Sequence, residues 1–122
     1  MLLYILIGLA GMIGALLRYT VSITTAFWWE GNFPLATLLT NYIGCFLLPF
    51  LTLQLTDRMI VSMQKAITAG LIGSFTTFST FSVETIALLE TGETITAFGY
   101  VLLSIAGGLF FVHLGYKRGR GL

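Results

Sequence analysis

The chain has 122 residues, of which 57% are apolar and 9% are charged, and its formal net charge is +1. Soluble domains carry roughly 25% charged residues, and six basic plus five acidic side chains are too few to cover a soluble fold of this size. The composition therefore predicts an integral membrane protein, and the lack of a basic excess excludes nucleic acid as a partner. One cysteine and one histidine exclude an intramolecular disulfide and a metal site built from either residue type within one chain.

Charged and turn residues divide the chain into four apolar segments. A bilayer core about 30 Å thick needs about 20 helical residues, and each segment is long enough. We predict one all-α transmembrane domain over residues 1–122, with spans at about 2–27, 33–55, 59–89 and 94–116.

The first span contains one charged residue, Arg18. An arginine at the bilayer centre costs about 2.5–3.5 kcal/mol on the insertion scale, so this side chain is expected to reach an interface or a partner. Two roles stay open, attraction of an anion to a pore mouth and stabilisation of a helix end.

The N-terminal segment lacks a basic region and a cleavage pattern, so we predict a retained span.

The second span is uncharged and has Asn41 at its middle. A buried amide without partners loses about 1–3 kcal/mol on protein-based scales, and its NH2 group offers two donors. An interhelical hydrogen bond and a pore-lining donor are both compatible with this position.

The third span is unusual because residues 70–82 combine two glycines and three phenylalanines with six Ser or Thr residues. Glycine and threonine weaken a helix, and hydroxyl groups offer the backbone other hydrogen bonds. We predict a break near residues 73–77, which would expose carbonyl oxygens to a cation. The alternative is an unbroken helix whose hydroxyls bond back onto its own carbonyls.

Two aromatic rings, Phe78 and Phe81, follow the predicted break. Their spacing of three places them on one helix face. Such rings more often face lipid or core. Aromatic edges nevertheless carry positive partial charge, so rings beside hydroxyl donors are also suited to a small anion. On the fourth span, a narrow polar stripe runs through Tyr100, Ser104 and Gly108.

The basic residues are distributed unequally between the two membrane faces. Four spans place both termini and the 57–58 turn on one side, together with Arg58, Lys65, Lys117, Arg118 and Arg120, whereas Arg18 alone belongs to the other side. Because positive charge is retained in the cytoplasm, we predict cytoplasmic termini.

Three stretches of the chain together resemble the CrcB/Fluc family of small fluoride channels. They are Gly11 through Tyr19, Thr37 through Gly44, and Gly73 through Ser82 with the following Glu84-Thr85. The resemblance extends over essentially the whole chain, including its length and number of spans. It implies a fluoride-selective channel, not an enzyme, that exports fluoride passively from the cytoplasm and relieves fluoride toxicity.

The resemblance also implies an antiparallel dimer with two pores in the cell membrane of a prokaryote. By resemblance, Phe78 and Phe81 would present ring edges to fluoride, and Asn41 would donate its amide beside them. The hydroxyls that would continue the path belong to Thr77, Ser79, Thr80, Ser82, Tyr100 and Ser104. Backbone carbonyls of Gly73 and Thr76 from both subunits would bind a structural sodium ion at the dimer centre.

Two positions depart from the family pattern. Ser74 stands where a second glycine is often seen, and Gly108 stands where a hydroxyl residue occurs. The proposed lining is otherwise neutral, which suits a mobile anion because a fixed cation would bind fluoride too tightly for release.

The charge bias bears on the dimer. An antiparallel homodimer needs chains that insert in both orientations, whereas five cations against one predict a single orientation. We therefore hypothesise a heterodimer with a homologous chain of opposite bias.

Two other functions are compatible with four short spans. A small multidrug-type, proton-coupled transporter would need an embedded acid in its first span, and this span has none. A non-transporting subunit of a larger membrane complex would leave the hydroxyl-rich third span without a purpose.

Overall fold

The computed structural model describes residues 1–121, which form helices joined by short turns. The elements are α1 (Leu2–Trp28), α2 (Leu35–Leu55), α3 (Val61–Lys65), a π helix (Ala66–Ile72), α4 (Gly73–Phe75), α5 (Ser79–Glu90) and α6 (Thr94–Gly121). Four stretches are long and apolar enough to cross a membrane: Leu2–Trp28, Leu35–Leu55, Val61–Glu90 and Thr94–Gly121. The predicted all-α membrane architecture with four spans is confirmed.

The helix ends differ from the predicted bounds by one or two residues, except at the C-terminus. The prediction ended the last span at residue 116 and left 117–120 as a basic tail. Instead α6 continues to Gly121, because its last turns pack against α2. The Gln54 amide donates to the Gly119 carbonyl at 2.9 Å.

The helices pack in two pairs, with α2 lying along α6 and α1 lying along the π helix and α4. Small residues permit the second contact. A side-chain carbon at Gly70 would lie 2.6 Å from the Ile7 carbonyl oxygen, and one at Gly14 would overlap the Leu71 carbonyl. Membrane helices associate through close backbone approach of this kind.

The π helix over Ala66–Ile72 was not predicted from the sequence. Its wider turns lie against α1, which it contacts closely at Gly70 and at Leu71. The Thr68 hydroxyl bonds back to the Gln64 carbonyl at 2.9 Å. Short π-helical stretches are rare and often lie beside functional segments, and this one directly precedes the segment that the sequence singled out.

The third span is interrupted between α4 and α5. Thr76 is extended, with φ −87° and ψ 162°, and helical structure resumes at Ser79. The Ile72 carbonyl accepts both the backbone N–H and the hydroxyl of Thr76, at 3.0 and 3.1 Å. Gly44 of α2 faces this point, and a side-chain carbon there would overlap the Thr76 methyl group.

The sequence prediction placed a break near residues 73–77, and the residues outside helical structure are 76–78. Hydroxyls on the following helix bond back to carbonyls four residues earlier, from Ser82 to Phe78 at 3.0 Å and from Thr85 to Phe81 at 2.8 Å.

The best-packed part of the chain lies where α2, α5 and α6 meet. Its buried apolar residues are Leu38, Leu88, Ala97 and Tyr100. Tyr100 is completely buried, and the Phe33 ring meets its ring edge-on at a centroid distance of 5.4 Å. This cluster fixes the position of α5 relative to α2.

Candidate functional site

Asn41 joins the middle of α2 to the interruption in the third span. Its Nδ2 donates to the Thr77 carbonyl at 3.0 Å, and its Oδ1 accepts the Thr77 backbone N–H at 2.8 Å. The paired bonds satisfy both backbone groups of a residue that has left the helix. Of the two roles open from the sequence, the interhelical bond is therefore present, and the second Nδ2 hydrogen stays available to another acceptor.

The same rearrangement frees the two carbonyls that the resemblance assigns to sodium. In an α-helix the carbonyl of residue i accepts the N–H of residue i+4, so Gly73 and Thr76 would accept from Thr77 and Thr80. Instead the Thr77 N–H donates to Asn41, and the Thr80 N–H donates to the Thr77 hydroxyl at 3.1 Å. Both carbonyl oxygens thus lose their helical donors. Oxygen donors without acidic groups fit a hard monovalent cation.

An open groove of about 790 Å³ runs beside the interruption, between α2, the third span and α6. Five of the predicted path residues line it, namely Asn41, Thr77, Phe78, Phe81 and Ser104. Gly73 and Thr76 lie on its wall as well. The structure therefore brings the amide, both rings, one α6 hydroxyl and the two carbonyl positions to one surface.

The two phenylalanine rings differ in their surroundings. Phe78 is 78% exposed in the isolated chain, although it lies at mid-span. Phe81 is partly buried and packs on Tyr100 at a centroid distance of 5.1 Å. The centroids of the two phenylalanines are 5.8 Å apart, with planes inclined by 42°, so the two rings contact each other.

Tyr100 and Thr37 converge on the carboxylate of Glu84. The Tyr100 hydroxyl donates to Oε1 at 2.9 Å, and the Thr37 hydroxyl donates to Oε2 at 3.1 Å. A hydroxyl has one proton to donate, so in this arrangement both protons are used by the Glu84 carboxylate and neither is left for a further acceptor. Tyr100 contacts the predicted path through its ring, which packs on Phe81.

A second cavity, of about 300 Å³, lies on the other side of the interruption. Arg18 lines it together with the polar residues Ser22, Thr37, Thr40, Thr77, Thr80 and Glu84. Arg18 is therefore placed among hydroxyl groups. Thr77 lines both this cavity and the groove, so it lies at their common wall.

The remaining predicted path hydroxyls lie outside the groove lining. Ser79 is exposed, and its hydroxyl is 3.4 Å from that of Thr77. Ser82 donates to the Phe78 carbonyl, and Thr80 lines only the Arg18 cavity.

Glu84 is the residue whose position the sequence argument undervalued. Besides the Arg18 cavity, it lines a third cavity of about 520 Å³, which opens between the 31–34 and 91–93 turns. Glu84 thus lies between this third cavity and the Arg18 cavity. Its position well inside the predicted third span (59–89) was a usable signal, since intramembrane ionisable residues are functional candidates by default.

Comparison with known proteins gives consistent matches over nearly the whole chain. Residues 5–116 match the family model described as CrcB-like protein, Camphor Resistance (CrcB). The chain is 52% identical over 120 residues to Fluoride-specific ion channel FluC 1 of Bacillus cereus (strain ATCC 10987 / NRS 248), a match that covers 97% of this chain and 88% of the relative. It is 41% identical over 116 residues to Fluoride-specific ion channel FluC 2 of Listeria innocua serovar 6a, covering 93% and 88%. Identity to Fluoride-specific ion channel FluC 1 of Desulfitobacterium hafniense (strain Y51) is 47% over 108 residues, covering 87% and 93%.

Proposed function

The chain belongs to the CrcB family, and on that premise we propose that it is a subunit of a fluoride-selective channel through which fluoride leaves the cytoplasm passively. Such export relieves fluoride toxicity. The observation that carries the proposal is 52% identity, over 97% of this chain, to a relative named as a fluoride-specific ion channel. The relatives' names also favour a channel over an enzyme, a proton-coupled transporter or a non-transporting subunit.

In the proposed mechanism, fluoride exchanges water for neutral donors along the groove. Fluoride is small and strongly hydrated, so its path needs several polar contacts in place of lost water. The second Nδ2 hydrogen of Asn41, the edges of Phe78 and Phe81, and the Ser104 hydroxyl supply them from one surface. Because none of these groups carries a full positive charge, fluoride binds and leaves.

Arg18 fits the first of its two possible roles in this mechanism. It lines a hydroxyl-rich cavity separated from the groove by Thr77. A cation there raises the local concentration of anions without contacting the narrow part of the path.

We further propose that two subunits assemble antiparallel and hold a structural sodium ion between them. The exposure of Phe78 at mid-span and the open groove beside it support a second subunit. The Gly73 and Thr76 carbonyls, whose helical donors are engaged elsewhere, would each contribute one oxygen per subunit. The ion would fix the interruption from outside the fluoride path.

The second subunit is a homologous chain of opposite charge bias in this proposal. Five basic residues belong to one membrane face and Arg18 alone belongs to the other. This difference favours one orientation of the chain in the cell membrane, with both termini in the cytoplasm. The relatives include proteins named FluC 1 and FluC 2, which agrees with paired genes. Accessibility labelling of cysteines placed at residues 58 and 118 in whole cells tests this; equal labelling from both sides would instead mean dual insertion.

The channel activity is tested by fluoride and chloride efflux from liposomes containing the purified chain, alone and with a co-expressed homologue. We expect fluoride efflux to exceed chloride efflux by a large factor. Phe81→Ile should abolish fluoride efflux without dissociating the dimer, because isoleucine lacks a polarised ring edge. Phe98→Ile, at an exposed position of α6, is the matched control and should conduct normally. Equal efflux of the two halides would reject the function, whereas a conducting Phe81→Ile variant would reject only the assigned path.

A further inference from the structure

The C-terminal end of α6 projects beyond the membrane core and carries a cluster of cations. The helix has 28 residues, or about 42 Å at 1.5 Å per residue, whereas the hydrocarbon core is about 30 Å thick. Residues 94–113 are enough to cross it. The exposed residues Lys117, Arg118 and Arg120 therefore lie at headgroup depth.

This end of the helix is held in place. Besides the bond from Gln54 to the Gly119 carbonyl, two glycines one turn apart let α6 contact α2 closely. A side-chain carbon at Gly119 would lie 3.1 Å from Leu53, and one at Gly115 would overlap the Phe46 carbonyl. The cations are consequently displayed in a fixed direction.

An aromatic ring accompanies the cations. The Arg120 guanidinium carbon lies 5.6 Å from the centroid of the Tyr116 ring, within the range of a cation–π contact. Tyrosine is enriched at the boundary between lipid tails and headgroups. Tyr116 thus marks the level at which Arg120 would meet phosphate.

The two ends of the molecule differ sharply in charge. The exposed residues Arg58 and Lys65 lie on the same membrane face as the α6 cluster. This face therefore has five cationic side chains and one acidic side chain, Asp57. The turns at the other end carry Glu30, Glu90 and Glu93 and, within residues 1–121, no lysine or arginine. An anionic lipid surface is therefore attracted to one end and repelled by the other.

We propose that Lys117, Arg118 and Arg120, with Arg58 from the neighbouring turn, form a docking surface for the headgroups of anionic phospholipids. Clusters of at least four basic residues next to a membrane span are typical of such surfaces. The role of positive charges in orienting a membrane protein during insertion requires only that the charges be present. This cluster is in addition held by the packing of α6 on α2 and lies at headgroup depth beside an interfacial tyrosine. The proposal is independent of the channel activity.

The test counts lipids retained by the purified full chain after extraction from membranes of equal phosphatidylglycerol and phosphatidylcholine content, using native mass spectrometry. We expect a several-fold enrichment of phosphatidylglycerol, reduced by high salt because the contacts are exposed. The triple variant K117Q/R118Q/R120Q should lose the enrichment, and the charge-preserving variant R118K/R120K should retain most of it. The control E30Q/E90Q, at the opposite end, should behave like the unmodified chain.

Equal retention of the two lipids by the unmodified chain, or undiminished enrichment in the triple variant, would overturn the proposal and leave the cations with an orienting role alone. Displacement of the lipid by inorganic phosphate, but not by sodium chloride of the same ionic strength, would overturn it too, because the surface would then be a site for free anions. Helix content measured by circular dichroism verifies that each variant is folded.

Discussion

Helix α2 has two faces that differ in the balance of their contacts. Toward α6 the backbones approach closely at Gly107 and Gly115, and Tyr42 and Gln54 add hydrogen bonds to α6 carbonyls. Toward the third span, besides the contact of Gly44 with Thr76, Asn41 bonds to Thr77 and Thr37 bonds to Glu84 at mid-membrane. Close packing stabilises the contact between α2 and α6. The contact between α2 and the third span instead places hydrogen-bonding groups at the interruption of that span.

The difference indicates a division of roles. Lipid tails are as apolar as a protein interior, so burial of apolar surface contributes little to the association of membrane helices. Close approach of the backbones at small residues stabilises the helix pair instead. Polar groups at mid-membrane are costly unless paired. Their concentration on one face of α2 therefore marks that face as the functional one.

The largest effect should come from the packed face. Gly115→Ala places a methyl group against the Phe46 carbonyl. Because a backbone group must move to relieve this overlap, we expect a cost of about 3 kcal/mol, the upper end of the usual range for overpacking, and a fall in both folded protein and efflux. Gly99→Ala is the matched control on the same helix, since no atom lies within 4 Å of the added carbon. Thermal unfolding in detergent measures both. Equal stability of the two variants would contradict the close-packing account.

A smaller effect is expected on the polar face at Glu84. Glu84→Ala leaves the Thr37 and Tyr100 hydroxyls without their acceptor, which costs about 1–3 kcal/mol for a buried group. We expect fluoride efflux to fall by about tenfold, the factor that corresponds to about 1.4 kcal/mol. Glu84→Gln retains one acceptor oxygen and should be milder. The control Glu90→Ala, at the exposed last residue of α5, should change neither efflux nor stability. An unimpaired Glu84→Ala variant would mean that the carboxylate is a bystander.

The smallest effect is expected for Tyr100→Phe. The variant keeps the ring that packs on Phe81 and removes only the hydroxyl that donates to Glu84. The carboxylate keeps its second hydrogen bond, from Thr37, so stability should fall by less than in Glu84→Ala and efflux should stay close to normal. Loss of efflux comparable to that of Phe81→Ile would show that the hydroxyl itself contacts fluoride.

Much of the architecture was predictable because composition and hydropathy are strong signals in a membrane chain. The four spans and their order follow from charges and turns alone, and the hydroxyl-rich stretch pointed to the segment around Thr76. The extension of α6 was missed because it depends on Gly115 and Gly119 meeting α2. The π helix depends in the same way on contact between Gly70 and α1.

The candidate site was predictable in composition and less so in connectivity. Asn41, Phe78, Phe81 and Ser104 do share one groove. The sequence did not indicate that Asn41 would bind the Thr77 backbone or that Glu84 would accept from Tyr100. Such pairings depend on the relative rotation of two helices, which the spacing within one helix does not determine.

The most direct test of the functional face is fluoride efflux from liposomes containing Asn41→Asp, compared with the unmodified chain at equal amounts of incorporated protein. Aspartate keeps an oxygen for the Thr77 N–H but replaces the amide donor with a negative charge. We expect efflux to be abolished while the protein stays folded and in the same oligomeric state as the unmodified chain. Efflux at the normal rate would mean that fluoride does not pass the amide of α2, and would contradict the assignment of the path to this face.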